Sequence, residues 1–258
     1  MTYHLLSRDF ELPELKLLVD AVQSSRFISE KKSRELINKL EKLVSRHDAD
    51  KLQRQVLISG RVKSMNESTY YAVDCIHNAI SMNRQISFQY TTWNVNKQEE
   101  LRRNGKWYVI SPWHLCWDDE NYYLIGYDEE IGKTRHFRVD KMKSLKILDT
   151  DRAGREQYKK FNPSVYTKKL FGMFSGQEVN VTLEGDNSMV GVIIDRFGKD
   201  IPLRMIDDSH FRAHVDVAES PQFYGWLMSL APGIKVTHPE SVVKEMKNRI
   251  DSLNDIYR

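Results

Sequence analysis

Ile86-Ser87-Phe88-Gln89-Tyr90-Thr91 alternates apolar with polar side chains, the two-residue repeat of a half-buried strand. Upstream the period is different. From Leu12 the apolar residues Leu15, Leu18, Val19 and Val22 recur at helical spacing, with Pro13 where an opening turn tolerates proline. Ser29 is a suitable N-cap for a second helix carrying Leu36, Ile37, Leu40, Leu43 and Val44 on one side. Val73, Ile76 and Ile80 mark a third helix over 68–82. Downstream of Thr91, further short strands are expected at 107–110, 114–117, 122–127, 135–139 and 145–148. Turn-prone residues separate them, among them Asn104-Gly105, Asp118-Asp119 and Ile131-Gly132. Short strands at such close spacing predict a small barrel or curled sheet.

The fold class that follows is α+β, with a helical region over 1–83, a small β-barrel over 84–150, a linker over 151–171 and a mixed extension over 172–258. In the extension, 179–183 alternates like a strand, and 189–197 suits a helix closed by Gly198. Strands at 201–206 and 211–217, a helix at 221–230, a short strand at 234–236 and a final helix over 241–256 complete it. The order β-α-β-β-α-β is ferredoxin-like, with one helix added. No internal repeat or low-complexity tract interrupts the chain.

Composition narrows the function. The 258 residues carry 39 Lys plus Arg against 36 Asp plus Glu, a formal net charge of +3. That excess is too small for binding DNA through a broad basic face, so any polyanion site must be a local cluster. Cys75 and Cys116 lie far apart and outside metal-ligand spacing, which suits a reducing compartment and predicts a cytoplasmic protein with no metal site. No apolar run approaches the roughly 20 residues needed to span a bilayer, so no membrane partner is expected.

In Arg135-His136-Phe137-Arg138-Val139, alternation places Phe137 and Val139 on one face and His136 and Arg138 on the other. His136 and Arg138 would project together, about 6.6 Å apart along the strand. Arg offers a planar fork to phosphate oxygens, and His donates one hydrogen bond when neutral and two when protonated. Tyr90, Tyr122 and Tyr123 in neighbouring strands could present ring faces for base stacking. Cations beside aromatic platforms suit a nucleotide or a short single-stranded oligonucleotide. Arg135 has the opposite parity and reaches such a site only if a bulge shifts the register. Plainer readings stand beside these. By composition Tyr122-Tyr123-Leu124 is an ordinary barrel strand, and Arg138 with Asp140 is a surface pair of small energetic weight.

Tyr122-Tyr123-Leu124-Ile125-Gly126-Tyr127, followed by Arg135-His136-Phe137-Arg138-Val139-Asp140-Lys141-Met142, resembles the WYL domain of bacterial transcriptional regulators. That family shows a Trp-Tyr-Leu tripeptide and then an Arg-x-Phe-Arg-x-Asp-Arg pattern; here Tyr122 replaces the Trp and Lys141 the last Arg. Ser111-Pro112-Trp113-His114-Leu115 is similar to the strand that precedes the tripeptide. Phe171-Gly172-Met173-Phe174-Ser175-Gly176, with 223–242, looks like the extension that accompanies WYL domains, and 10–18 looks like the helical linker that follows a winged helix-turn-helix. The resemblance implies an Sm/SH3-like barrel, a nucleic-acid-like effector held by Tyr90, Ser111, Tyr122, Tyr123, Arg135, His136 and Arg138, and a homodimer. It also implies operator DNA as a partner through an N-terminal head that would precede residue 3, with Tyr3-His4-Leu5-Leu6 as the last strand of its wing.

Neither a cofactor nor catalytic residues are expected. The sequence has no His-Glu-x-x-His, Cys-x-x-Cys or nucleophile elbow. Two alternatives to a sensor stay open: a nucleotide-acting enzyme with a dispersed constellation, and an adaptor whose barrel only mediates oligomerisation.

Overall fold

The computed structural model describes residues 10–44, 63, 69–159 and 161–258. The expected wing strand at Tyr3-His4-Leu5-Leu6 lies outside the described residues. The chain divides after Gly154 into two compact units.

The first unit opens with helix α1, Leu12–Ser24, whose Leu15 and Val19 are buried as the helical spacing predicts. Its start is a reciprocal cap in which the backbone N–H of Glu11 donates to Glu14 Oε2 at 2.7 Å. Helix α2, Glu30–Glu41, is capped by Ser29, whose Oγ accepts from the backbone N–H of Lys32 at 3.2 Å. Ser33 heads the face of α2 that carries Leu36, Ile37 and Leu40, all three part-buried. Ser33 is the buried residue, its hydroxyl donating to Val22 O at 3.4 Å and accepting from Lys63 Nζ at 2.6 Å, while Leu43 is 56 % exposed. Helix α3, Thr69–Ser81, buries Ile76 and Ala79 against the sheet that follows.

That sheet comprises β1 (Arg84–Trp93), β2 (Glu99–Leu101), β3 (Tyr108–Asp118), β4 (Asn121–Asp128), β5 (Lys133–Arg138) and β6 (Met142–Asp151). It is antiparallel throughout, in the order β2-β1-β3-β4-β5 with β6 also paired to β1. The two strands expected at 107–110 and 114–117 are one strand, β3, which pairs with β1 up to Ile110 and with β4 from Ser111. Pro112, which has no N–H to donate, sits at the change of partner beside a register shift. A short 3-10 turn, Val139–Lys141, joins β5 to β6. The curled sheet closes over Ile86, Phe88, Tyr90, Tyr108, Leu124 and Phe137. Phe88 anchors this core, with ring centroids 5.6 Å from Tyr108 and 5.2 Å from Phe137. Burying a side chain of that size is worth about 1.5–3 kcal/mol.

The second unit begins with two short helices, α4 (Arg155–Tyr158) and α5 (Pro163–Lys169), in the stretch expected to be a linker. Asn162 caps α5 by accepting from the N–H of Ser164 at 3.0 Å. There follow β7 (Glu178–Asp186), α6 (Val190–Phe197), β8 (Leu203–Met205), β9 (His210–Ala218), α7 (Pro221–Ser229), β10 (Ile234–His238) and α8 (Glu240–Ile256). The strands form an antiparallel sheet in the order β10-β7-β9-β8. Strand alternation supplies its core, Val181 and Leu183 from β7 and Phe211, Ala213, Val215 and Val217 from β9, packed on Ile193, Phe223, Leu227 and Val242 of the helices. No helix among the described residues is long and apolar enough to cross a membrane.

Candidate functional site

Antiparallel register brings the two motif strands together. Tyr123 of β4 stands opposite Arg138 of β5, Leu124 opposite Phe137, and Ile125 opposite His136. Alternation sends Leu124 and Phe137 into the core, so Tyr123, His136 and Arg138 share the other face. Arg138 is committed there. Its Nε and Nη2 donate to the two carboxylate oxygens of Asp140 at 3.0 and 2.9 Å, a planar fork on a carboxylate two residues away. This bond, ahead of the opposing effect of burial, pushes the Arg138 pKa up. The pair is part-exposed at 34 % and 25 %, and the remaining guanidinium donors face outward from the fork. His136 is half-buried. Burial pushes the Tyr123 phenol up, and the neighbouring Arg138 charge partly offsets that.

The other expected ligand residues take different positions. Tyr90 is only 8 % exposed, its ring packed edge-on against Phe88, Tyr108 and Phe137, so it presents no face for a base to stack on. Its hydroxyl accepts a hydrogen bond from the backbone N–H of Arg138 at 3.0 Å. Burial first, and the Asp140 charge in addition, push its pKa to about 12. Ser111 is fully buried at the change of partner in β3, where its Oγ accepts from Gln85 Nε2 at 3.2 Å and from the backbone N–H of Ala153 at 2.9 Å. Both acceptor positions of Ser111 Oγ are thus used inside the unit. Tyr122 packs edge-on against Phe27 and Trp117, at 4.8 and 4.7 Å between centroids. No register shift interrupts the β4–β5 ladder, so Arg135 keeps the interior parity of Phe137. It still lies against the aromatic core at one end of the curled sheet, its guanidinium 4.7 Å from the Phe137 centroid and 5.2 Å from that of Tyr108, while Nη1 donates to Asp128 at 2.8 Å.

At that same end stand cations that strand parity did not single out. Arg102 lies 5.9 Å from the Tyr90 centroid and Arg103 5.3 Å from that of Tyr108. They occupy a turn in which Arg103 (φ 52°), Asn104 (φ 53°) and Gly105 (φ 79°) are all left-handed. For Arg103 that conformation costs about 1 kcal/mol or more. Gln89 Nε2 holds the turn by donating to Gly105 O at 2.8 Å. Lys141, in the 3-10 turn, is fixed through its carbonyl, which accepts from Thr91 Oγ1 at 3.2 Å. Burial first, then the positive charges of Arg138 and Arg102, lower the Lys141 pKa. Among the described residues no carboxylate forms an ion pair with Arg102, Arg103 or Lys141. The only hint of this cluster in the sequence is two arginines directly before the turn signal Asn104-Gly105.

This end of the curled sheet is thus an aromatic floor, closed to stacking, with Arg102, Arg103, Arg135, Arg138 and Lys141 around it and Asp128 and Asp140 as partial counter-charges. Such a ring attracts anions and holds a guanidinium fork ready for phosphate or carboxylate oxygens. Among the described residues no group of three or more His, Cys, Asp or Glu is placed to hold a metal ion.

Residues 72–147 match the family model of the WYL domain, and residues 177–253 that of the WCX domain. No curated protein matches the chain. Among solved structures, proteasome accessory factor B/C (PafBC) of Arthrobacter aurescens is similar at 18 % identity and a TM-score of 0.34, over 94 % of this chain. The chain spans 36 % of the length of that structure.

Proposed function

From a chain that carries a WYL domain and a WCX domain, we propose the effector-sensing portion of a transcriptional regulator, in which the barrel binds a nucleotide or a short single-stranded nucleic acid. The observation that carries this reading is the ring of cations at one end of the barrel, a local positive cluster on a chain whose net charge is only +3. Such a cluster concentrates an anionic ligand without making the whole surface bind nucleic acid. Tyr123, His136 and Arg138 lie on the adjoining strands, where a ligand held by the ring would reach them.

In this reading the curled sheet over 84–150 is an Sm/SH3-like barrel. The strand order β10-β7-β9-β8 supports a ferredoxin-like extension over 172–258. The regulator is a cytoplasmic homodimer, and an attached winged helix-turn-helix reads operator DNA. Ligand binding controls that head only if the ligand has different affinities for two arrangements of the dimer.

The test is a fluorescence titration of short labelled single-stranded DNA with the wild type, Arg138→Ala and His136→Ala. Weaker binding by the variants is expected. Equal affinity in all three would remove these residues from the site.

A further inference from the structure

We infer that the Arg102–Arg103 turn, together with Lys141, supplies the main phosphate contacts of the barrel end, and that its ligand is a multiply charged phosphate compound recognised by charge and not by base stacking. This rests on the sensor reading above and names the chemistry of that site.

Three independent features point to the turn. The first is pairing. Arg135 and Arg138 are already bound to Asp128 and Asp140, whereas Arg102, Arg103 and Lys141 have no ion-pair partner among the described residues. An incoming phosphate would meet three cations whose donors are not occupied by a carboxylate. The second is the backbone. Left-handed geometry at Arg103, Asn104 and Gly105, locked by Gln89, brings Arg102 and Arg103 over two different rings of one floor. Residues held in such conformations by their surroundings concentrate at ligand clamps. The third is crowding of like charge. Arg103 and Arg135 both lie against the Tyr108 ring, at 5.3 and 5.2 Å, and the charges of Arg138 and Arg102 add to burial in lowering the Lys141 pKa, with Asp140 as the opposing charge. An anion in their midst relieves that repulsion.

Stacking is excluded on the same floor. Tyr90 and Tyr108 are 8 % and 4 % exposed, so neither ring can receive a base. On this floor the ligand is therefore held by its phosphates and not by stacked bases.

The experiment uses the full chain and a fluorescein-labelled short oligothymidylate, titrated over a series of salt concentrations. Replacing both arginines, Arg102→Gln with Arg103→Gln, should weaken binding about tenfold and flatten the dependence of log K on log salt by about 1.4. Arg102→Lys with Arg103→Lys should keep most of the slope, because the charges remain. Lys244→Gln, on α8 of the second unit, should change neither quantity. Inorganic pyrophosphate as competitor separates two sources of the same chemistry: displacement supports a free oligophosphate ligand, and retention of the labelled strand supports a phosphodiester chain. An unchanged slope in the Gln pair, with the wild type binding, overturns this inference and leaves the sensor reading intact. Failure of the wild type to bind either probe overturns both.

Discussion

The hydroxyl of Tyr90 accepts a hydrogen bond at 3.0 Å from the backbone N–H of Arg138, so the core tyrosine of β1 holds the strand end that presents the motif arginine. The Tyr90 ring belongs to the core and its oxygen to the site. This bond couples the position of Arg138 to barrel packing.

Tyr90→Phe removes the acceptor and leaves that N–H without it. The expected cost is about 1–3 kcal/mol in chemical denaturation. The same residue sets an alkaline limit. Its folded pKa of about 12 lies above the ordinary 10.0, so the folded state keeps the proton longer than the unfolded state. The stability contributed is complete below about pH 10 and is lost as pH rises towards 12. Stability curves of wild type and Tyr90→Phe should differ in slope across that window, and parallel curves would refute the assignment.

Asp140→Asn should release Arg138 from its carboxylate fork and remove a negative charge from the barrel end. Affinity for a phosphate-bearing probe should then rise about threefold at low salt. Weaker binding would mean that the fork orients Arg138 for the ligand and does not compete with it.

Ser111→Ala separates a structural serine from a ligand contact. Its Oγ serves Gln85 and the N–H of Ala153 inside the unit, so the variant should lose about 1–3 kcal/mol in urea unfolding. Oligonucleotide affinity of the folded fraction should stay at the wild-type value. A selective loss of affinity with unaltered stability would restore Ser111 to the site.

Gly126→Ala examines the tripeptide strand itself. A Cβ at this buried position would run into Ile110 Cγ2 and stand 3.1 Å from Ser111 O. Overpacking of this kind costs about 1–3 kcal/mol. Thermal melting should shift down by several degrees, and an unshifted melt would show that the Ile110 side chain yields to the added methyl without cost.

Periodicity made most elements legible. Alternation in Ile86-Ser87-Phe88-Gln89-Tyr90-Thr91, the Ser29 cap and the β-α-β-β-α-β order each rest on local rules of backbone and side-chain geometry, which act within a few residues. The same parity placed Phe137 in the core and His136 with Arg138 on the other face. Parity is blind to what lies opposite. It could not show that Tyr90 would be sealed by Tyr108 and Phe137, that Ser111 would be used by Ala153, or that β3 would run unbroken through Pro112.

The chain's own letters determined the change of period near residue 84, the strands and helices of the extension and the identity of the motif arginine. Only the folded arrangement decided which cations share the barrel end. Arg102, Arg103, Arg135, Arg138 and Lys141 come from a turn, a strand and a 3-10 turn whose proximity arises when the sheet curls. Electrostatic interaction depends on distance through space, and separation along the chain does not predict that distance.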